Sequence, residues 1–254
     1  MSNLIQRHQQ IINKLKKEGR VSVIDLCEKL NVSSVTIRKD LKLLEDKHLL
    51  YRTHGGGTLA NPYTGDKPVN EKAKIHAAEK ISIGQAAAQL IEPNDCILIA
   101  SGTTVLSFAK SIKPIGGITI ITAALNVALE LIHHQDIEVI QLGGILRKSS
   151  SSVTGNYAEK ILDDFSCSKL FLGVDGIDPE FGLTTTNMME AQLNKKMIAA
   201  SQKTIVLADS SKFGKRGFGR ICGLDDIEQV ITDSRISDHM VEMLKGIGIE
   251  VTVV

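Results

Sequence analysis

The sequence predicts an α/β protein in two parts: a small N-terminal helical module closed by a hairpin, then a larger C-terminal α/β domain. Three observations predict it. Apolar residues in the first sixty positions recur at helical spacing and give way to a glycine-tipped strand pair. A polar stretch, "NPYTGDKPVNEKAK", follows with Pro62, Gly65 and Pro68, a linker in composition. Beyond it, short β-branched runs alternate with helical stretches. A length of 254 residues suits one small and one medium domain. The expected boundaries are 1–60 for the module, 61–74 for the linker and 75–254 for the larger domain.

The first helix carries Leu4, Ile5, Ile11, Ile12 and Leu15 and stops at Gly19, a natural C-terminal breaker. Ser22 is placed to cap a second helix with Leu26 and Leu30 inward, and Asn31 supplies the turn. Ser33 then caps a third helix, opening within "NVSSVTIRKDLKLLEDKHLLYRTHGGG" at 31–57, whose Ile37, Leu41 and Leu44 share one apolar face. At about 100 degrees per residue, Val35, Lys39, Lys42 and Asp46 point away from that face, with Arg38 and Thr36 on its flanks. "LLYRTH" and "TLA" flank "GGG" as two strands around a glycine tip. That order is the winged helix-turn-helix.

In this motif the third helix enters the DNA major groove by its N-terminus. The candidate DNA-binding residues are therefore Ser33, Ser34, Val35, Thr36, Arg38, Lys39 and Lys42, with Arg52 and His54 on the wing. Arg38 can fork onto guanine or clamp a phosphate, while the lysines act as point charges. The competing reading is an ordinary solvated face on an amphipathic helix. Charge favours the first. Residues 1–60 hold 11 Lys and Arg against 6 Asp and Glu, and the remainder 19 against 23, so the positive field is local.

The strand-like runs of the larger domain are "CILIA", "ITIIT", "IEVIQL", "KLFLGV", "TIVLA", "QVITD" and "IEVTVV". Short, uninterrupted and β-branched, they suit strands buried on both faces of a mainly parallel sheet. No run of eighteen apolar residues occurs and "MSNLIQRHQQ" lacks a signal peptide's apolar segment, so a cytoplasmic protein without a membrane partner is expected. Cys27, Cys96, Cys167 and Cys222 are far apart in sequence and read as reduced core residues. The adjacent His133 and His134 cannot share a metal from one helical face. No metal or cofactor is expected.

Two stretches, "RHQQIINKL" at 7–15 and "SSVTIRKDL" at 33–41, resemble the helix-turn-helix signature of the DeoR family of bacterial transcription regulators. The matching residues are Arg7, Ile11, Leu15, Ser33, Thr36, Ile37, Arg38, Lys39, Asp40 and Leu41. The likeness continues at "SGTT" from 101, "LGGILR" from 142, "GVDGID" from 173 and "LADSSKFG" from 207. It implies a sugar-phosphate-sensing domain similar in fold to ribose-5-phosphate isomerase and NagB-like proteins. The function implied is a repressor of a carbohydrate or polyol operon, released by a phosphorylated effector. Its partners would be double-stranded operator DNA, that effector and further copies of the chain in a homo-oligomer.

The effector-site candidates sit in those stretches. Ser101, Gly102, Thr103 and Thr104 follow a strand and precede a helix, so their N–H groups and hydroxyls can surround an anion; a plain helix cap is the alternative. Gly143 and Gly144 permit close backbone approach, leaving Arg147 as a charged fork or a surface arginine. Asp175, beside Gly176, is a hydroxyl acceptor or a turn residue, and Lys212 stands where an ammonium meets phosphate. "FGKRGFGR", 213–220, is a lid or a solvated hairpin. At Ala100, Ala123 and Ala124 the chain departs from the polar residues of the family pattern, thinning the presumed pocket rim. The rival reading is a sugar-phosphate isomerase-like enzyme, for which the resemblance singles out Glu190 as base.

Overall fold

The computed structural model describes residues 2–47, 49–53, 55–58, 68–113 and 116–254. The chain forms two compact units, Met1–Gly65 and Asp66–Val254. The smaller contains α1 (Ser2–Glu18), β1 (Arg20–Ser22), α2 (Val23–Leu30), α3 (Ser34–Asp46), β2 (Tyr51–Thr53) and β3 (Gly56–Thr58). Its caps are the predicted ones. Ser22 Oγ accepts the Asp25 N–H at 3.1 Å and Ser33 Oγ the Thr36 N–H at 3.3 Å. Asn31 turns between α2 and α3 in the left-handed region, φ 50°. Ile11, Leu15, Leu26, Ile37, Leu41 and Leu44 form the core, whereas Leu4 and Ile5 at the start of α1 are exposed.

Two features of this unit lay outside the sequence pattern. Asp40 is buried and accepts from Arg7 Nε at 2.5 Å and Nη2 at 3.0 Å, with His8 Nε2 at 3.1 Å, clasping α1 to α3. β1 joins the wing as a third strand, in the order β1-β3-β2. A wing glycine makes a close approach to β1: a Cβ on Gly56 would lie 1.9 Å from the Val21 carbonyl oxygen.

The larger unit begins with α4 (Val69–Lys74) and α5 (Ala77–Ala88), then β4 (Cys96–Ile99), α6 (Thr103–Ser111), β5 (Ile118–Thr122), α7 (Leu125–Leu131) and β6 (Ile137–Gln141). A hairpin of β7 (Ile145–Arg147) and β8 (Ser152–Thr154) leads to α8 (Asn156–Leu162), β9 (Cys167–Gly173), β10 (Gly176–Asp178), β11 (Gly182–Thr185) and α9 (Met188–Ala199). The chain continues with β12 (Ser201–Leu207), β13 (Gly219–Cys222), β14 (Gln229–Thr232), α10 (Asp238–Gly246) and β15 (Glu250–Val253). Residues 69–74, polar enough to read as linker, thus fold as a helix of this unit: Glu71 lies in its first turn and Lys72 and Lys74 in its last.

Among the described residues, seven strands form a parallel sheet in the order β15-β14-β12-β9-β4-β5-β6, and they are the seven runs read from the sequence. Alternate residues serve opposite faces. Ile97, Ile99, Ile120, Phe171 and Ile205 pack with Ile83, Phe108 and Val127 of α5–α7, while Leu98, Leu170, Leu172 and Val206 pack with Leu162, Met197 and Leu244 of α8–α10. Burial on both faces is why the five inner runs are uninterrupted, while β6 and β15 at the edges are partly exposed. Strand order reverses direction between β4 and β9, and such a switch point opens a crevice at the strands' carboxyl ends.

Candidate functional site

Outward on α3, Arg38, Lys39 and Lys42 are exposed and make no ion pair among the described residues. Val35 is also exposed, whereas Ser34 and Thr36 are half-buried. Ser33 is engaged as the cap, and its Oγ lies 3.0 Å from Thr36 Oγ1. Arg52 points back to its own unit: its N–H donates to Glu45 Oε1 at 2.8 Å and its guanidinium lies 3.7 Å from Glu45 Oε2. His54 lies outside the described residues.

In the larger unit a cavity of about 60 Å³ opens at the switch point, where one water needs roughly 10–15 Å³. Its walls come from the loops after β4, β9 and β12. Ser101, Gly102, Thr103 and Thr104 line it at the start of α6, and Gly102 takes φ 137°, a conformation that favours glycine. No side chain caps α6, so its first N–H groups face the cavity with the positive end of the helix dipole. Lys212 lines it from a short 3-10 turn, Ser210–Lys212. That turn is fixed by Asp209, which accepts the Ser211 N–H at 3.1 Å, and by Asp233, which accepts the Ser210 N–H at 2.6 Å.

Asp175 enters from the end of β9. Its Oδ1 lies 2.9 Å from Lys72 Nζ, and its Oδ2 accepts from Thr185 Oγ1 at 3.1 Å and the Thr186 N–H at 3.2 Å. Burial pushes its carboxyl upward, but Lys72 and Lys212 outweigh that and hold it below the usual carboxylate range. Lys72 was not foreseen. Neither was Lys80, buried, whose Nζ donates to the carbonyls of Lys72 at 2.6 Å and Ile75 at 2.7 Å, closing the end of α4. Burial pulls the Lys80 ammonium down from its ordinary range, and Asp209 offsets only part of this.

Glu190, at the third position of α9, also lines the cavity. Its carboxylate accepts from Arg147 Nε at 3.2 Å, Ser152 Oγ at 3.4 Å and Thr185 Oγ1 at 3.4 Å. Arg147 reaches Ser149 Oγ at 2.9 Å, and so braces the wall behind the lining residues. Asn194, only 6% exposed, lines the cavity and its side chain hydrogen-bonds to no described residue, so its side-chain amide is free for a ligand.

Three expected glycines are not lining residues. Gly143 stands in the open, Gly144 packs on the Thr154 carbonyl, and a Cβ on Gly176 would meet the Lys215 carbonyl oxygen at 2.4 Å. Gly144 and Gly176 serve chain packing. Ala100, Ala123 and Ala124 are buried core residues and not part of the cavity wall. The 213–220 segment is anchored: Arg216 pairs with Asp178 at 2.8 Å and Arg220 Nε donates to the Phe181 carbonyl at 2.7 Å. Lys72 had a usable signal, a proline followed by a helix-forming hexapeptide, but its partner lies 103 residues away.

Among the described residues no cluster of His, Cys, Asp and Glu could hold a metal, and no helix is long and apolar enough to cross a membrane. The four cysteines are free, and two meet in space, with Cys96 and Cys167 Sγ 3.0 Å apart at the opposite end of the sheet. Burial pushes the Cys167 thiol well up.

Residues 7–62 match the model of the DeoR-like helix-turn-helix domain, and residues 75–234 that of the DeoR C-terminal sensor domain. A protein of Escherichia coli O157:H7, named provisionally as an aga operon transcriptional repressor, is 36% identical over 98% of this chain and 93% of its own length. The HTH-type transcriptional regulator YulB of Bacillus subtilis strain 168, itself uncharacterised, is 34% identical over 98% of this chain and 96% of its own. Ribose 5-phosphate isomerase A of Methanocaldococcus jannaschii aligns at 15% identity and TM-score 0.40 over 54% of this chain and 55% of that one, a partial likeness without bearing on chemistry. The exposed cationic face of α3 and the sequence matches agree: the chain belongs to the DeoR family of transcriptional regulators, a helix-turn-helix module followed by a sensor domain.

Proposed function

We propose that the protein represses a carbohydrate or polyol operon and leaves its operator when a phosphorylated sugar or polyol enters the cavity of the larger unit. The carrying observation is the cavity itself, where the uncapped start of α6 faces Lys212, Lys72 and the free amide of Asn194. Helix N–H donors, a glycine-shaped loop and two ammonium groups suit a phosphate; Asn194, Asp175 and Glu190 suit hydroxyl groups. The name of the Escherichia coli relative supports the repressor reading. On the DNA side, Arg38, Lys39 and Lys42 are the contacts proposed for the major groove and its phosphates, with Ser34, Val35 and Thr36 beside them.

A single winged helix makes few contacts, so a homo-oligomer reading paired half-sites is part of the proposal. Sedimentation of the operator complex tests it, and a monomer bound to its operator would refute it. For the effector, a thermal-shift screen of sugar and polyol phosphates is the direct experiment: a ligand at one hundred times its Kd adds about 2.7 kcal/mol. The same compounds should displace operator DNA in fluorescence anisotropy. Enzyme-like turnover in an isomerisation assay would favour the catalytic alternative built on Glu190.

A further inference from the structure

Resting on the phosphate site just proposed, we infer that Lys72 is a ligand of the effector's phosphate and the handle by which occupancy reaches α4, the first described element of the larger unit. Asp175 holds the Lys72 ammonium at 2.9 Å, and on this inference the phosphate takes it over. Both side chains line the cavity with the start of α6 and Lys212. The exchange is chemically balanced. A phosphate brings up to two negative charges where the carboxylate has one, and the helix terminus favours it further. Asp175 keeps the Thr185 hydroxyl and the Thr186 N–H on its other oxygen, so it can release Lys72 without losing its remaining donors.

The lysine matters beyond affinity because of where it is mounted. The larger unit begins at Asp66 and α4 at Val69, so Lys72 rides on the first described element after the boundary. That element is held at both ends, at its start by the cavity wall and at its end by Lys80 of α5. The Val69 N–H donates to the Ser149 carbonyl at 2.7 Å, Lys80 grips the other end through two carbonyls, and Ser149 itself lines the cavity. A change of partner at Lys72 is therefore felt by the whole helix, giving the effector the differential contact that any ligand-driven shift requires.

The test is hydrogen exchange on the full chain, with inorganic phosphate as the probe and occupancy followed by calorimetry. In the unsubstituted protein, phosphate should slow exchange of the Thr103 and Thr104 amides and slow that of α4 by about threefold or more. Lys72→Met should bind phosphate about tenfold more weakly. At matched occupancy it should still protect Thr103 and Thr104 while α4 no longer responds; Lys72→Arg should restore the response. A bound phosphate that leaves α4 unchanged, or an undiminished α4 response in Lys72→Met, would overturn the inference and spare the site. Phosphate that binds neither protein, or protects neither Thr103 nor Thr104, would overturn both.

Discussion

On α3 the cations Arg38, Lys39 and Lys42 stand in solvent, whereas in the cavity Lys72 is paired with Asp175, and behind it Lys80 is buried against two carbonyl oxygens. The difference matches the partners. A DNA duplex is long and regularly charged, so exposed ammonium groups gain by releasing counterions and need little preorganisation. A small anion offers few contacts, so its donors must be placed beforehand and held by neighbours. Rigidity on the DNA side lies beneath the surface, in the Asp40 clasp that sets the angle of α3.

Breaking that clasp should give the largest effect. Asp40→Ala leaves the Arg7 charge half-buried without its partner and should destabilise the smaller unit by about 3–5 kcal/mol, leaving the larger one unchanged. Denaturant unfolding followed with a probe in each unit would show one transition moving. The same clasp predicts a pH dependence. Burial raises the Asp40 carboxyl, but Arg7 and His8 outweigh it and hold it below the ordinary value. Its contribution is therefore present above an ordinary carboxylate pKa of about 4 and is lost as pH falls through the lower folded value. Acid should accordingly weaken the coupling between Arg7 and Asp40 in a double-mutant cycle, and a coupling independent of pH down to 2 would contradict the assignment.

Lys212→Ala comes next, with an expected loss of about 1.5–3 kcal/mol in effector affinity and no change in operator affinity. Superimposable release curves for the two proteins would move the phosphate elsewhere. On α3, Arg38→Ala should cost about 1–3 kcal/mol and relax preference at one base position if it forks onto guanine. Lys39→Ala should weaken all sequences alike and reduce the salt slope by about 1, so matching behaviour of the two variants in a salt titration would erase the distinction between them. Smallest is Ser33→Ala, about 1 kcal/mol from the lost cap of α3, read as a shift in the smaller unit's unfolding midpoint.

The two regions also differed in how far the sequence exposed them. Ile37, Leu41 and Leu44 announce the buried face of α3, and by subtraction its cationic face, because a helix's period is written in neighbouring residues. The five inner strands of the sheet were legible for a similar reason, burial on both faces. Strands of three residues such as β1 and β7 carry no period to read. In the cavity, Ser101–Thr104 and Lys212 were found through resemblance. Lys72 was hidden in a stretch whose prolines and glycine suggested linker, and Lys80 acts through backbone carbonyls that leave no mark on composition. Gly176 was misread because close packing and ligand approach demand the same residue.

The parallel sheet has a consequence for the nascent chain. β4 lies between β5, close behind it in sequence, and β9, which ends only at Gly173. Until the ribosome has released that strand, the centre of the sheet cannot close, and pairings of such long sequence separation form slowly. The smaller unit needs nothing beyond its own first sixty-five residues to complete its core. During synthesis the module proposed to read DNA is therefore finished before the proposed sensor exists, and a prematurely terminated chain would carry the first without the second.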